Sequence, residues 1–429
     1  MGTRGSVAEL ARAISDAIRA PVLVIGSAPP DARDLDLLAR APEFSRIRAL
    51  LESEGFRPWR STWATFDSLP ATSVELFRAE SWALGREHSC EELFEGAEPL
   101  DGLRHLVRPA SHVTLVLVAH SVLQRRGHLS PGARRRATAA VSEDRAWADA
   151  QVLARRLRLP GALEMLRRAL EQPDPWSPRR RLGELARALA VSPPATRLSV
   201  ARKLLPRRVR PVLVSLSGPD GSGKSTQAAL LRETLRALGV TTGGAWVPTT
   251  QRPPLPAAVR TIADRWRRPS ATPVAEGKPG PDRSRTVPAH VRLAEHVWIS
   301  TAAVSNAAKL WRAVLRSPGT RVLVLDRFSL DADVKLTYWY VLRRGVDITF
   351  ERRLFRAIAP TADVAVLLAV RPEINHERRA DEWNLDAFRD YQRIYAETAR
   401  DLHAVVVDAE RLPADVARSV AETVWQRLP

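Results

Sequence analysis

The chain has 429 residues, of which 45% are hydrophobic, so it is too long for one ordinary core and too apolar for a disordered chain. Its formal net charge of +18 favours polyanionic ligands such as nucleotides, nucleic acid or phosphorylated glycans. Because the Arg residues are dispersed, compositional bias also explains this charge, and nucleic acid is not the favoured partner. The single cysteine, Cys90, excludes an internal disulfide and a cysteine-cluster zinc site. The sequence shows no signal peptide and no apolar run long enough to span a bilayer, so we expect a soluble, cytoplasmic protein without membrane insertion.

The first candidate site lies near the N-terminus. Residues 20–25 form an apolar run that predicts a strand leading into a turn at Gly26 and Ser27, and Asp34 and Asp36 follow shortly after. Alternation along a strand places both carboxylates on one face, where they could bridge divalent metals, while the Gly-Ser turn could bind a triphosphate. Exposed acids at a strand end are the simpler alternative.

These residues resemble the nucleotidyltransferase superfamily that includes DNA polymerase beta, and in particular a bacterial group with an Asp-Ile-Asp-Leu-Leu-Val segment. The helix predicted over residues 45–55, followed by Phe56, fits that group. The resemblance implies an α+β fold, a third acid on a neighbouring strand, best matched by Glu75, and an all-α second half over residues 105–170. Residues 1–170 are therefore predicted to form a nucleotidyltransferase-like domain with a helical extension, either active or retained only for binding.

A connector is predicted over residues 171–209. Prolines between residues 172 and 178 break helical structure, and short helical patterns follow around residues 182–189 and 197–205. Residues 210–429 then form an α/β unit, within which residues 268–288 are predicted to be a mobile loop or an insertion.

The strongest motif of the chain opens this unit. A strand predicted over residues 212–216 runs into Gly218-x-x-x-x-Gly223-Lys224-Ser225, the complete phosphate-binding loop pattern, and a helix is predicted over residues 226–238. Backbone N–H groups and the helix N-terminus favour phosphate, the lysine would reach the β- and γ-phosphates, and the serine would ligate Mg²⁺. A chance glycine-rich turn is the alternative, which the strand–loop–helix context disfavours. The predicted ATP-binding residues are Gly218, Asp220, Gly221, Ser222, Gly223, Lys224, Ser225 and Thr226.

An acid and a base end the next predicted buried strand, residues 321–326. Ligands of open α/β sheets lie beyond the carboxyl ends of the strands, so Asp326 and Arg327 should face the site. Asp326 could hold the Mg²⁺ water shell or orient the acceptor, and Arg327 could bind an acceptor phosphate. A surface salt bridge is the alternative.

Two later segments complete the predicted site. After a strand over residues 364–370, Arg378 and Arg379 end a helical stretch and fit an arginine lid over the transferring phosphate, although a solvated charge run is the alternative. A late strand over residues 404–408 precedes a helix over residues 413–428, and the adenine ring is expected near Ala409 and Glu410.

Residues 210–429 resemble the thymidylate kinases. The resemblance rests on Asp220 within the loop, on Asp326-Arg327-Phe328, on the strand-to-lid segment over residues 370–379, and on aromatic residues of the following helix. It implies a parallel-sheet P-loop NTPase kinase fold and a contact from Arg327 to the phosphate of the acceptor.

The departures from that family concern the acceptor and the transition state. Ser222 stands where many members carry Arg, so the transition-state arginine would come from the lid, and only Arg252 and Pro253 are left of the usual Arg-Glu-Pro segment. The stretch after Arg327 is also unusually acidic. The predicted acceptor-binding residues are Arg327, Asp331 and Arg252.

Taken together, the sequence predicts an enzyme that uses ATP and Mg²⁺ to phosphorylate a nucleoside monophosphate or a related small acceptor. The predicted catalytic residues are Lys224, Asp326, Arg378 and Arg379, with Ser225 and Asp326 as Mg²⁺ ligands and Asp34, Asp36 and Glu75 as metal ligands of the N-terminal domain. A kinase for a sugar, a glycan or a polynucleotide end, an NTP-binding regulatory protein, and a bifunctional enzyme remain alternatives. The identity of the acceptor and a homodimeric state are left open.

Overall fold

The computed structural model describes residues 6–29, 32–82, 90–172, 176–192, 197, 210–250, 289–317, 319–378 and 384–428. The chain divides into two compact units, Met1–Arg207 and Arg208–Pro429. Both units are α/β, the first with a mixed sheet and the second with an all-parallel sheet. The predicted loop over residues 268–288, most of the helical pattern over residues 197–205, and the predicted site residues Arg252 and Arg379 lie outside the described residues.

A seven-stranded sheet organises the N-terminal unit, in the order β3-β4-β5-β2-β1-β7-β6. Its strands are β1 (Val22–Val24), β2 (Leu35–Ala39), β3 (Arg57–Trp59), β4 (Thr62–Thr65), β5 (Thr72–Arg78), β6 (Glu98–Leu100) and β7 (Leu103–Arg108). The parallel pairing of β2 with β5 places Asp36 opposite Glu75, so acids far apart in sequence meet on one sheet.

Helices cover this sheet and extend beyond it. They are α1 (Val7–Ala17), α2 (Ala41–Ser53), α3 (Ala79–Trp82), α4 (Ser111–Gln124), α5 (Pro131–Val141), α6 (Ala146–Arg156), α7 (Pro160–Leu170) and α8 (Pro178–Ala190). Helix α4 is apolar on nearly all sides, as expected of a buried central helix, and it packs against α5, α6 and α7. The prediction of helix from residue 105 was wrong, because His105 lies in β7, whose neighbours Leu106 and Val107 pair with β1.

The C-terminal unit contains a five-stranded parallel sheet in the order β12-β11-β8-β10-β9. Its strands are β8 (Val212–Ser217), β9 (Thr242–Trp246), β10 (Val322–Asp326), β11 (Val364–Ala369) and β12 (Val405–Asp408). Strands β8 and β10 are almost entirely buried, as their continuous apolar sequences predict.

The described helices of this unit are α9 (Lys224–Ala237), α10 (Ala289–Leu315), α11 (Ser329–Leu336), α12 (Thr349–Ile358), α13 (Pro372–Arg378), α14 (Leu385–Asp401) and α15 (Pro413–Arg427), and a π-helical segment, Thr337–Leu342, continues α11. The side chains of α10 and α12 form a core with the buried side chains of β8 and β10. No helix in the described part of the chain is long and apolar enough to cross a bilayer.

The strand order fixes where a ligand can bind. From β8 the chain continues to β9 at one edge of the sheet, whereas from β11 it continues to β12 at the other edge. Such a reversal opens a crevice at the carboxyl ends of the two neighbouring strands. The glycine loop follows β8, and α13 follows β11, so both lie at this crevice.

Candidate functional site

The loop between β8 and α9 has a backbone that only glycine adopts readily. Gly218, Gly221 and Gly223 have φ angles of 151°, 89° and 85°. A Cβ atom on Gly218 would lie 2.7 Å from the carbonyl oxygen of Leu368 and 2.8 Å from Oγ of Ser222. The loop therefore packs directly against β11, and any side chain at position 218 would displace it.

Lys224 folds back over this loop. Its ammonium donates hydrogen bonds of 2.7 Å to the carbonyl oxygens of both Gly218 and Pro219, and it lies 3.5 Å from Oδ1 of Asp220. The residue is only 5% exposed, and this burial lowers the pKa of its ammonium. The cation is thus held inside the loop, where a bound phosphate group would take over its hydrogen bonds.

Ser225 and Asp326 meet at the carboxyl end of β10. The Ser225 hydroxyl donates a 2.5 Å hydrogen bond to Oδ2 of Asp326, while the buried Oδ1 has no hydrogen-bond partner among the described residues. Protein-bound Mg²⁺ is held by few protein oxygens, together with water and substrate phosphates. A hydroxyl beside a carboxylate with one uncommitted oxygen fits that ion.

Arg327 forms an ion pair with Asp220 of the loop. Its backbone lies in the left-handed region, with φ of 66°, and its N–H donates to the carbonyl of Leu216 at 3.3 Å. Burial works to raise the pKa of Asp220, but Lys224 and Arg327 outweigh it, so the pKa lies below its ordinary value. The carboxylate predicted to lie among the ATP-binding residues is therefore already shared by two cations.

Asp331 is one of the predicted acceptor-binding residues. Its side chain has no exposed surface and is hydrogen-bonded within the protein, and its contact with an acceptor stays a prediction. It accepts hydrogen bonds from the Tyr395 hydroxyl at 2.9 Å, from the N–H of Phe328 at 3.1 Å and from the N–H of Gly218 at 3.5 Å. Asp331 is thus a positioning residue that ties the loop and the start of α11 to α14.

The structure adds a cation that the sequence did not indicate. Lys335, half-buried on α11, donates a hydrogen bond of 3.1 Å to the carbonyl of Thr249, just beyond β9. Burial lowers the pKa of Lys335, and the charge of Arg327 lowers it further. Only the spacing of four residues from Asp331 could have indicated that Lys335 lies on the same helix face.

The remaining predicted residues lie around the loop. Arg378 donates a 3.1 Å hydrogen bond to the carbonyl of Gly221, which brings the end of α13 onto the loop. Ser222 is buried, and Thr226 is exposed in the first turn of α9. The side chain of Glu410, predicted near the adenine, is ion-paired with Arg371 at 2.9 Å.

The N-terminal unit holds a separate cluster of charges. Burial, together with the neighbouring charges of Glu75 and Asp34, raises the pKa of Asp36 to about 7 against the opposing effect of Arg136 and Arg125. Burial also raises the pKa of Glu75. The three predicted acids are therefore close enough to repel one another, with two arginines facing them.

The backbone of the predicted triphosphate turn lies against this cluster. A Cβ atom on Gly26 would meet the Asp36 carboxyl group, at 2.8 Å from its Cγ, so only glycine fits there, and Ser27 is exposed. Across the described ranges, no three Asp, Glu, His or Cys side chains are grouped as a metal site. Asp34, Asp36 and Glu75 thus lie near one another with Arg136 and Arg125 beside them, and their role as metal ligands stays a prediction.

No protein-family model matches the chain, and no curated protein matches it. The geometry of the two clusters therefore carries the functional interpretation.

Proposed function

We propose that the C-terminal unit is a phosphotransferase that uses ATP and Mg²⁺, and that its acceptor is a nucleoside monophosphate or a related small phosphorylated molecule. The hydrogen bond between Ser225 and Asp326, made beside the Lys224 ammonium at one sheet edge, supports this proposal most directly. The likeness of the loop and of Asp326-Arg327-Phe328 to the thymidylate kinases supports the class of acceptor.

Each residue has a defined part in the proposed reaction. The loop N–H groups and Lys224 bind the β- and γ-phosphates, with Lys224 exchanging its two carbonyl partners for phosphate oxygens. Ser225 and Asp326 would hold Mg²⁺, which when bound neutralises charge on the phosphates. Arg378, already beside the loop, would stabilise the transferring group, and Arg327 would bind the acceptor phosphate after separating from Asp220.

Phosphoryl transfer needs little covalent chemistry from the protein. An acceptor oxygen forms a bond to the γ-phosphorus as the bond from this phosphorus to the bridging oxygen breaks, and ADP leaves with the bonding electron pair. The phosphate oxygen of a monophosphate acceptor attacks as the dianion and has no proton to lose, whereas a hydroxyl acceptor would release its proton to solvent. Positioning and charge neutralisation provide most of the acceleration, and one arginine on the transferring phosphate contributes ~10³-fold or more.

The proposal is tested by measuring ADP release from ATP with dTMP, other nucleoside monophosphates, nucleosides and sugars as acceptors. We expect release that depends on a nucleoside monophosphate, and we expect Lys224→Ala to abolish it with the fold retained. Lys309→Ala, which removes a lysine of α10, is the matched control. Undiminished turnover by Lys224→Ala would refute the proposal, stimulation by a sugar alone would favour a sugar kinase, and slow ADP release independent of every acceptor would favour a regulatory NTP-binding protein.

Nucleotidyl transfer by the N-terminal unit remains a prediction. The register that places Asp36 beside Glu75, together with the contact of Asp36 with Gly26, favours it. An Asp34→Asn/Asp36→Asn double variant tests it, because NMP transfer that is unchanged in this variant would exclude these carboxylates.

A further inference from the structure

Lys335 has a position that suits ligand binding better than fold stabilisation. It lies one helical turn beyond Asp331, on the face of α11 that is directed toward the loop. Its ammonium reaches the carbonyl of Thr249, just after β9, whose last residue Trp246 pairs with Asp326. Lys335 therefore stands at the carboxyl edge of the sheet, on the same side as Arg327.

The charge of Arg327 has a direct ion-pair partner, whereas the charge of Lys335 has none among the described residues. Arg327 is ion-paired with Asp220, whereas no carboxylate of the described residues lies within ion-pair distance of Lys335, which donates to a neutral carbonyl. Arg327 repels Lys335, while the carboxylates of Asp220 and Asp331 attract it from beyond ion-pair distance. A ligand anion in contact with Lys335 would give its ammonium the direct ionic partner that it lacks among the described residues.

The segment that contacts Lys335 is held rigidly and carries a spare polar group. Asn306, itself 1% exposed, binds both the N–H and the carbonyl of Thr250, at 3.1 and 2.8 Å. The adjacent Thr249 is 7% exposed, and its hydroxyl has no hydrogen-bond partner among the described residues. A buried polar group without a partner costs free energy, but because this oxygen is itself covered, a ligand could bond it only after neighbouring atoms moved.

Lysine is also rare in this arginine-rich chain, yet both Lys224 and Lys335 lie close enough to Asp220 and Arg327 to interact with their charges. The ammonium group is a compact point charge with three rotatable donors, suited to an anion whose geometry is not planar. A lysine at this position is thus better matched to a phosphate or carboxylate group of a ligand than to a flat ion pair within the protein.

We infer that Arg327 and Lys335 form a two-anion acceptor subsite, in which Arg327 binds the acceptor phosphate and Lys335 binds a second anionic group on the same molecule. The inference rests on the proposed function, because it requires an acceptor beside the loop. The acceptor class then narrows from monophosphates to molecules with a second phosphate or a carboxylate.

Calorimetry on the full chain saturated with Mg²⁺ and a non-hydrolysable ATP analogue tests this subsite. The probes are thymidine 5′-monophosphate and thymidine 3′,5′-bisphosphate. We expect the bisphosphate to bind ~10-fold or more tightly than the monophosphate, since charge-assisted hydrogen bonds are the strong ones. Lys335→Met should remove that preference, Lys335→Arg should keep most of it, and Lys309→Met, the matched loss of a lysine in α10, should leave it intact.

The outcomes separate the subsite from the proposed function. Equal affinities of the two probes for the parent protein, or an equal loss for both in Lys335→Met, would overturn the subsite while leaving the kinase in place. Loss of binding of the ATP analogue by the parent protein would overturn both. If Lys335→Met does not fold, Lys335→Gln is the alternative variant, because it keeps a donor to Thr249 without the charge. A Lys335→Gln protein that still prefers the bisphosphate would overturn the subsite equally well.

Discussion

Arg327 and Asp220 form an ion pair that joins the carboxyl end of β10 to the glycine loop after β8, and Arg327 makes it from a left-handed backbone with φ of 66°. A non-glycine residue in this region costs about 1–2 kcal/mol, and such strain collects at functional positions. The hydrogen bond from its N–H to Leu216 helps to hold this backbone. The pair thus holds a strained arginine at the position where the proposed acceptor phosphate would bind.

This strain predicts an unusual order of stability. Arg327→Gly and Arg327→Ala both remove the ion pair and should both lose acceptor-dependent ADP release. The glycine variant should nevertheless be the more stable of the two, by roughly 1 kcal/mol, because only alanine retains the cost of the left-handed backbone. The midpoints of urea unfolding measure this difference, and a more stable alanine variant would show that residue 327 does not hold this backbone conformation in solution.

The hydrogen bond from Tyr395 to the buried carboxylate of Asp331 can be tested by substitution. Burial raises the pKa of Tyr395 well above its ordinary value, so its hydroxyl stays protonated and donates to Asp331. Tyr395→Phe leaves a buried carboxylate with one donor fewer and should cost about 1–3 kcal/mol of unfolding free energy. In an Asp331→Asn background the same substitution should cost less, and urea unfolding of the four proteins measures the coupling. Equal costs in both backgrounds would mean that the two side chains do not interact.

The residues of the loop could be predicted because their roles are set by local sequence. Glycines at positions that need left-handed backbone, followed by Lys224 and Ser225, define the proposed phosphate site within one short segment of chain. The location of Asp326 beside the loop could be predicted because parallel strands end at a common edge of the sheet. Local rules therefore predict the donor half of the proposed site.

The acceptor half depended on contacts between distant segments. Asp331 is predicted from the sequence to bind the acceptor, and the sequence did not indicate the hydrogen bond that it accepts from Tyr395 of α14. Lys335 becomes significant only through its contact with Thr249, and the pairing of β7 with β1 overrode the expected helix at His105. In the N-terminal unit, Arg136 comes from α5, which no pattern in β2 could indicate.

The stability of the N-terminal unit should depend on pH through Asp36. Burial raises its pKa from about 3.9 in the unfolded chain to about 7 in the folded one, so between these values the folded state binds the extra proton. Stability should therefore be greatest below pH 4 for this group and fall as pH rises toward 7, by at most about 1.4 kcal/mol per pH unit. Asp36→Asn should remove this trend and be the more stable protein at pH 8.

Thermal unfolding from pH 4 to pH 8 checks this dependence as the difference between the parent protein and the variant. Asp16→Asn, which changes an exposed carboxylate of α1, is the control and should show no such divergence. A difference that grows as pH falls would have the opposite sign and would mean that Arg125 and Arg136 stabilise the ionised carboxylate more strongly than burial opposes it.

The contact between Gly26 and Asp36 gives the last prediction. A methyl group at position 26 would lie 2.8 Å from Cγ of Asp36, so Gly26→Ala must displace the carboxyl group or the turn. Overpacking of this kind costs about 1–3 kcal/mol. Asp36→Gly removes all the obstructing atoms, including the Cβ that alanine would keep 2.9 Å from the new methyl group. The double variant should then recover most of that loss, which the unfolding midpoints of the four proteins measure. If the losses of stability in the two single variants add instead, the strain comes from the backbone at residue 26 and not from the side chain of Asp36. The conformation of the turn would then not depend on the neighbouring acids.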